Sequence, residues 1–232
     1  MPRMKTRGRK SEPHTELAVS YGNGIVGPSR DQVRSAMEAL SEDLSWDELA
    51  HDLRPVFVRR RPLPPGVEAP LTTVRPPGLE VALGVDIGPA FMYVGRGMLE
   101  SWSVGFEHAM ERAMDNLRGE VAAERYLEME YETLEGVPFW WYQSSGGLAS
   151  GLLLLEKELA QRYGPEPRLL IAPMRNLLLA APFDADRQLV AWLRDEISHE
   201  DPNGLDLPIF ALLDGKLSID TRSQEASSEP VH

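Results

Sequence analysis

A leucine ladder that stops at Gly164-Pro165 and runs into two short apolar segments constrains this fold most. Leu148, Leu152, Leu155 and Leu159 recur at spacings of three and four, and Leu153 and Leu154 widen the stripe. That spacing predicts a helix over 148–163 with burial on more than one side. Ser144 and Ser145 are placed to cap its free N–H groups. Gly164 supplies a left-handed end, and Pro165 and Pro167 prevent continuation. Leu169-Leu170-Ile171-Ala172 and Leu177 to Ala181 then read as strands joined by the turn-prone Pro173-Met174-Arg175-Asn176. Both runs are apolar on both faces, as in the central strands of a sheet covered by helices.

The chain has 232 residues, 42% apolar and 26% charged, the composition of a globular protein. Its formal net charge of −12 argues against nucleic acid as the main partner, since phosphate binding needs clustered Lys and Arg. Arg3, Lys5, Arg7, Arg9 and Lys10 are the exception, a basic tail read as disordered within residues 1–28. The absence of cysteine excludes disulfides, thiol catalysis and thiolate zinc sites. No run reaches the roughly 18 apolar residues of a membrane span, and the basic N-terminus lacks the apolar core of a secretory signal, so the expected location is cytoplasmic.

Residues 29–78 read as a helical segment and a proline-rich linker. Ser29 caps a first helix with Val33, Ala36, Met37 and Leu40 on one face. Ser45 and Glu48 form a capping box for a second, which Pro55 ends. Val56-Phe57-Val58 and Leu71-Thr72-Thr73-Val74 are short strand candidates, separated by Arg59-Arg60-Arg61 and several prolines. A domain boundary is expected here. Residues 79–220 then form the main domain, and 221–232 a polar tail.

Leu79, Val81, Leu83 and Val85 alternate with Glu80, Ala82, Gly84 and Asp86, a half-buried strand that returns after Gly88-Pro89 as Ala90 to Val94. Ser103 is expected to cap a helix to Arg118, closed by Gly119, with Trp102, Phe106, Ala109, Met110, Ala113 and Leu117 lining its inner face. The segments 126–133 and 139–142 flank the turn Glu135-Gly136, Asp184 caps a last helix, and Asp214-Gly215 joins two closing strands. Three hairpins interleaved with three helices make an α+β fold: a mainly antiparallel sheet with helices packed on it, plus a short helical N-terminal extension.

From about Val81 to Leu217 the order of motifs resembles the YtpQ-like family of bacterial proteins, a domain of unknown function. The resemblance is carried by Met98-Leu99-Glu100-Ser101-Trp102 leading to Asn116-Leu117, by Ala149-Ser150-Gly151-Leu152-Leu153, by Ala172-Pro173-Met174-Arg175-Asn176, and by Leu207-Pro208 with Asp214-Gly215. Met174 and Asn176 stand where the family favours Asn and Asp. The resemblance implies a bacterial, cytoplasmic α+β protein and implies no activity.

Candidate chemistry is sparse. Gly84-Val85-Asp86-Ile87-Gly88 resembles a phosphate loop of actin-like sugar kinases, but Pro89 offers no N–H, so the segment reads as a turn. Ser144-Ser145-Gly146-Gly147 lacks the lysine of a P-loop. Glu128, Glu130 and Glu132 share one strand face at roughly 7 Å spacing, a weak Ca²⁺ or Mg²⁺ candidate that reads first as a solvated face. The five histidines form no zinc pair; a serine triad would need His51, His108 or His199 brought in by the fold. Trp140-Trp141-Tyr142 offers rings for stacking. The expectation is a protein-binding or self-associating module with no cofactor and no resident metal. The alternative is a hydrolase-like enzyme for an anionic or peptide-like substrate, its site formed by Arg175, Asn176, Ser144 and Ser145, with Trp141 as a further binding candidate.

Overall fold

A computed structural model describes residues 45–58, 69–86, 91–123, 130–144, 149–200 and 204–222. The expected first helix, Arg59-Arg60-Arg61, the Gly88-Pro89 turn, both expected tails apart from Thr221 and Arg222, and Ser145 and Glu128 lie outside these residues.

The fold is α+β, with two antiparallel sheets among the described residues. The first holds β1 (Leu53–Phe57), β2 (Thr72–Arg75), β3 (Leu79–Asp86) and β4 (Phe91–Tyr93). β3 pairs with β1 on one side and with β2 and β4 on the other. The second runs β10-β9-β7-β8-β6-β5. Its members are β5 (Glu130–Leu134), β6 (Val137–Gln143), β7 (Arg168–Met174), β8 (Leu177–Pro182), β9 (Phe210–Leu213) and β10 (Lys216–Ile219). The boundary expected at residue 78 falls inside the first sheet, because β1 and β2 both pair with β3.

The doubly apolar reading of the central hairpin holds. β7 is buried throughout and β8 up to Pro182, and they are the two middle strands of the six. Leu170, Ala172, Leu178 and Ala180 face the larger core with Phe210; Leu169, Ile171, Leu179 and Ala181 face a second core. That second core is closed by α5 (Arg187–Glu200) through Val190, Leu193 and Ile197. The larger core is shared with α3 (Phe106–Ala123), which lies on β1 and β3, and with β3 itself through Leu79, Val81, Leu83 and Val85. Burying one side chain of this size contributes about 1.5–3 kcal/mol, so the continuous larger core is what joins the two sheets.

Glu135-Gly136 and Asp214-Gly215 both have positive φ at both positions, 49° and 81° in the first and 50° and 74° in the second. That is the two-residue hairpin turn whose twist matches its strands, as the sequence predicts.

Several local expectations are corrected. The helix expected over 148–163 is two pieces: a 3₁₀ turn (Ser150–Leu154) and α4 (Glu156–Tyr163), broken at Leu155. The physical reason lies in the pattern. Residues 150–153 are buried all round, while only the second piece has a polar side to present to water. The expected second helix is a single turn, α1 (Trp46–Leu49), with Glu48 accepting from the backbone and hydroxyl of Ser45. Leu53 and Pro55, read as its end, belong to β1; proline is tolerated there because β1 pairs with β3 alone among the described strands.

Ser103 does not cap α3. Its N–H closes a short unexpected helix, α2 (Arg96–Ser101), by bonding to Glu100 O. Gly119 does not end α3 either, because Leu117 and Val121 are both buried and hold the helix on its core. Asp184 is replaced as the cap of α5 by Asp186, whose carboxylate accepts from Gln188 N at 2.9 Å. The turn between β7 and β8 is two residues, Arg175-Asn176, not four. Ala82 and Gly84, expected on the outer side of β3, are buried.

Candidate functional site

The Arg175-Asn176 turn and the start of the Ser144 segment are brought together, as expected. Their contact is made by backbone. Ser144 N donates to Asn176 O and Ser150 N donates to Arg175 O, each at 3.0 Å. Ser144 is fully buried, and its N–H anchors the segment to the turn, while the helical piece starts six residues later at Ser150. Burial holds the Arg175 guanidinium below the usual arginine pKa, while its charge and hydrogen bonding with the Tyr93 phenol oppose that shift. A neighbouring close approach fixes the same corner. Leu205 N donates to Pro173 O at 2.6 Å and Gly204 bridges Met174. A β-carbon on Gly204 would stand 1.8 Å from Ser198 O, so only glycine fits. These contacts build a rigid, half-buried corner able to position a guanidinium.

Trp141 is placed elsewhere in character. It pairs with Leu179 and packs half-buried against the α5 core, with its indole N–H unpartnered. Trp140 and Tyr142 point to the opposite face, and their rings are already covered. The Arg168 guanidinium sits 3.9 Å over Trp140, and Arg162 sits 4.0 Å over Tyr142. Tyr131 flanks Trp140 at 5.6 Å. Trp140 and Tyr142 thus each carry an internal cation–π contact.

Glu132 is exposed on β5, and for Glu130 only the backbone is described. Among the described residues no group of three His, Asp or Glu is placed to hold a metal ion. The three triad-candidate histidines are each engaged locally: His51 with Asp52 at 3.2 Å, His108 against the Trp46 ring at 5.7 Å, and His199 with Asp195 O at 2.6 Å.

The surface feature that sequence reading missed lies at the first sheet. A cleft of about 410 Å³ opens between the start of β2 and the α2–α3 corner. Leu71, Leu99, Val104 and Phe106 give it an apolar lining, and Arg96 and Glu100 carry charge at its wall. Beyond it on β2, Val74 is 69% exposed, the most exposed large apolar side chain described. β2 itself pairs only with β3 among the described strands. The signal available was Leu71 to Val74, a strand candidate; the other wall, α2, contains Gly97 and is too short to show a period.

No described helix is long and apolar enough to cross a membrane. The chain matches no protein-family model, no curated protein and no solved structure.

Proposed function

We propose that this chain is a protein-binding or assembly module, cytoplasmic and of bacterial origin, that receives a segment of a partner or of a second copy at the β2 cleft. The cleft carries the proposal. An apolar trough beside a strand whose outer edge is unpaired among the described residues offers backbone donors and acceptors for strand addition and side-chain pockets for specificity. Val74, outside the cleft lining, adds an exposed apolar side chain on the same strand. The order of motifs resembling the YtpQ-like family supports the bacterial, cytoplasmic setting and is silent on activity.

The test compares partners retained from the native host by the unaltered chain with those retained by Val74→Lys and Leu71→Asp. A partner captured by the parent, lost by both variants and kept by Arg175→Ala supports the proposal. A partner kept by both of these variants contradicts it.

The second reading is an enzyme for an anionic or peptide-like substrate at the Arg175-Asn176 corner. It is favoured by the desolvated guanidinium held beside Tyr93 and the buried Ser144. Loss of turnover on ester or phosphopeptide panels in Arg175→Lys, with the fold retained, would favour it over the first.

A further inference from the structure

Two guanidiniums on one side of the six-stranded sheet carry more donors than the described residues satisfy. α4 ends in Arg162 and Tyr163, Gly164 turns the chain at a φ of 76°, and β7 opens at Arg168. Trp140 and Tyr142 alternate onto the same side of β6, roughly 7 Å apart by strand rise. Arg168 lies over the first ring at 3.9 Å and Arg162 over the second at 4.0 Å. The fold therefore holds the two cations side by side. Burial raises the pKa of the Tyr163 phenol, and Arg162 and Arg168 both oppose that rise, so both act on one buried oxygen.

The N–H donors of a guanidinium lie in its own plane, so a ring beneath its face leaves them free at the rim. Arg168 donates to Glu166 at 2.5 Å, while its Nε is buried with no acceptor among the described residues. Arg162 has no hydrogen bond and no ion pair among the described residues, although Glu158 stands one helical turn before it. Two cations thus face one paired carboxylate, a local positive charge in a chain of net charge −12. That carboxylate is loosely held: the Glu166 side chain is 72% exposed and free to turn into water. Beside it, Tyr131 is 60% exposed and flanks Trp140 at 5.6 Å. A phosphate group carries about −1.5 to −2 charge and three acceptor oxygens, enough to meet both guanidiniums at once.

We propose that Arg162 and Arg168 form a binding site for a phosphate monoester, whose phosphate bridges the two guanidiniums in place of Glu166 and whose organic group rests on Tyr131. The site lies on the other sheet from the β2 cleft and does not depend on the binding function proposed there.

The test titrates phenyl phosphate into the full chain while the arginine Nε–H signals are followed by NMR. The Arg162 and Arg168 signals are expected to shift together, with one dissociation constant. Inorganic phosphate, which has no ring to set on Tyr131, is expected to bind more weakly at the same two arginines. Arg162→Gln, at a half-buried position, is expected to weaken phenyl phosphate roughly tenfold. Glu166→Gln is expected to tighten it, because the competing carboxylate is gone; Glu196→Gln, the same charge change on α5 behind the sheet, is not. Shifts at neither arginine of the parent chain overturn the proposal without any variant. Undiminished binding in Arg162→Gln overturns it too, as does a Glu166→Gln affinity no tighter than that of Glu196→Gln. Equal affinity for the two phosphates contradicts the place given to Tyr131.

Discussion

The two sheets solve the same burial problem differently. The middle strands of the six-stranded sheet, β7 and β8, are covered on both faces, by the larger core on one side and α5 on the other. At its β10 edge, Leu217 N donates to the Glu156 carboxylate of α4 at 3.1 Å, so part of that edge is already satisfied. The first sheet meets the core through β1 and through alternate residues of β3, and its outer strand β2 is left with an exposed valine and an apolar trough. A doubly covered sheet is a scaffold. A strand unpaired on one side among the described residues, with an apolar trough beside it, has something left to recognise.

Substitutions can break that contrast. Leu170→Ala, fully buried in the middle of the six strands, is expected to cost about 3–5 kcal/mol, read from denaturant midpoints. Val74→Ser on β2 is expected to stay within about 0.5 kcal/mol. Comparable losses at the two positions would erase the distinction between scaffold and recognition edge.

Gly204→Ala drives a β-carbon into Ser198 O and is expected to cost about 1–3 kcal/mol, with the shift felt at the Met174–Gly204 bridge. Arg187→Ala removes the better-buried of the two arginines paired with buried Asp220, Arg187 and Arg222. A loss of about 1–3 kcal/mol is expected, since a buried carboxylate loses a donor. Thermal melts would show both.

The smallest effect is a pH dependence at α1. The Ser45 hydroxyl, then its backbone N–H, hold the Glu48 carboxyl below the usual carboxylate pKa. A depressed folded pKa contributes stability above the unfolded carboxyl pKa and loses it as pH falls through the folded value. Trp46 fluorescence should therefore change on acidification in the parent, and that acid step should flatten in Glu48→Gln.

Much of the scaffold was legible because its signals are local. Asp214-Gly215 and Glu135-Gly136 dictate their turns, and the unbroken apolar runs of β7 and β8 announce two covered faces. What the sequence hid depends on tertiary contact. Leu155 breaks a continuous leucine ladder because the preceding turn is wholly buried. Asn116, which reads only as part of an Asn-Leu pair, donates to Ala50 O and Leu53 O and so pins the approach to β1. Of the candidate site, the meeting of Ser144 with the Arg175-Asn176 turn was legible from turn chemistry. Trp141 was not, since alternation alone does not say which face α5 covers. The cleft escaped because one wall is a six-residue helix and the other a short strand candidate set among linker prolines, with no sequence signal that brings the two together.

The most direct measurement is to select peptides from a random library against the folded full chain and map each bound peptide by amide exchange. Protection is expected over 71–75 and 96–106, and lost in Val74→Lys. Binders that protect the Arg175-Asn176 corner, or any other segment, and leave β2 exchanging as before would contradict the assignment of the open edge as the recognition surface.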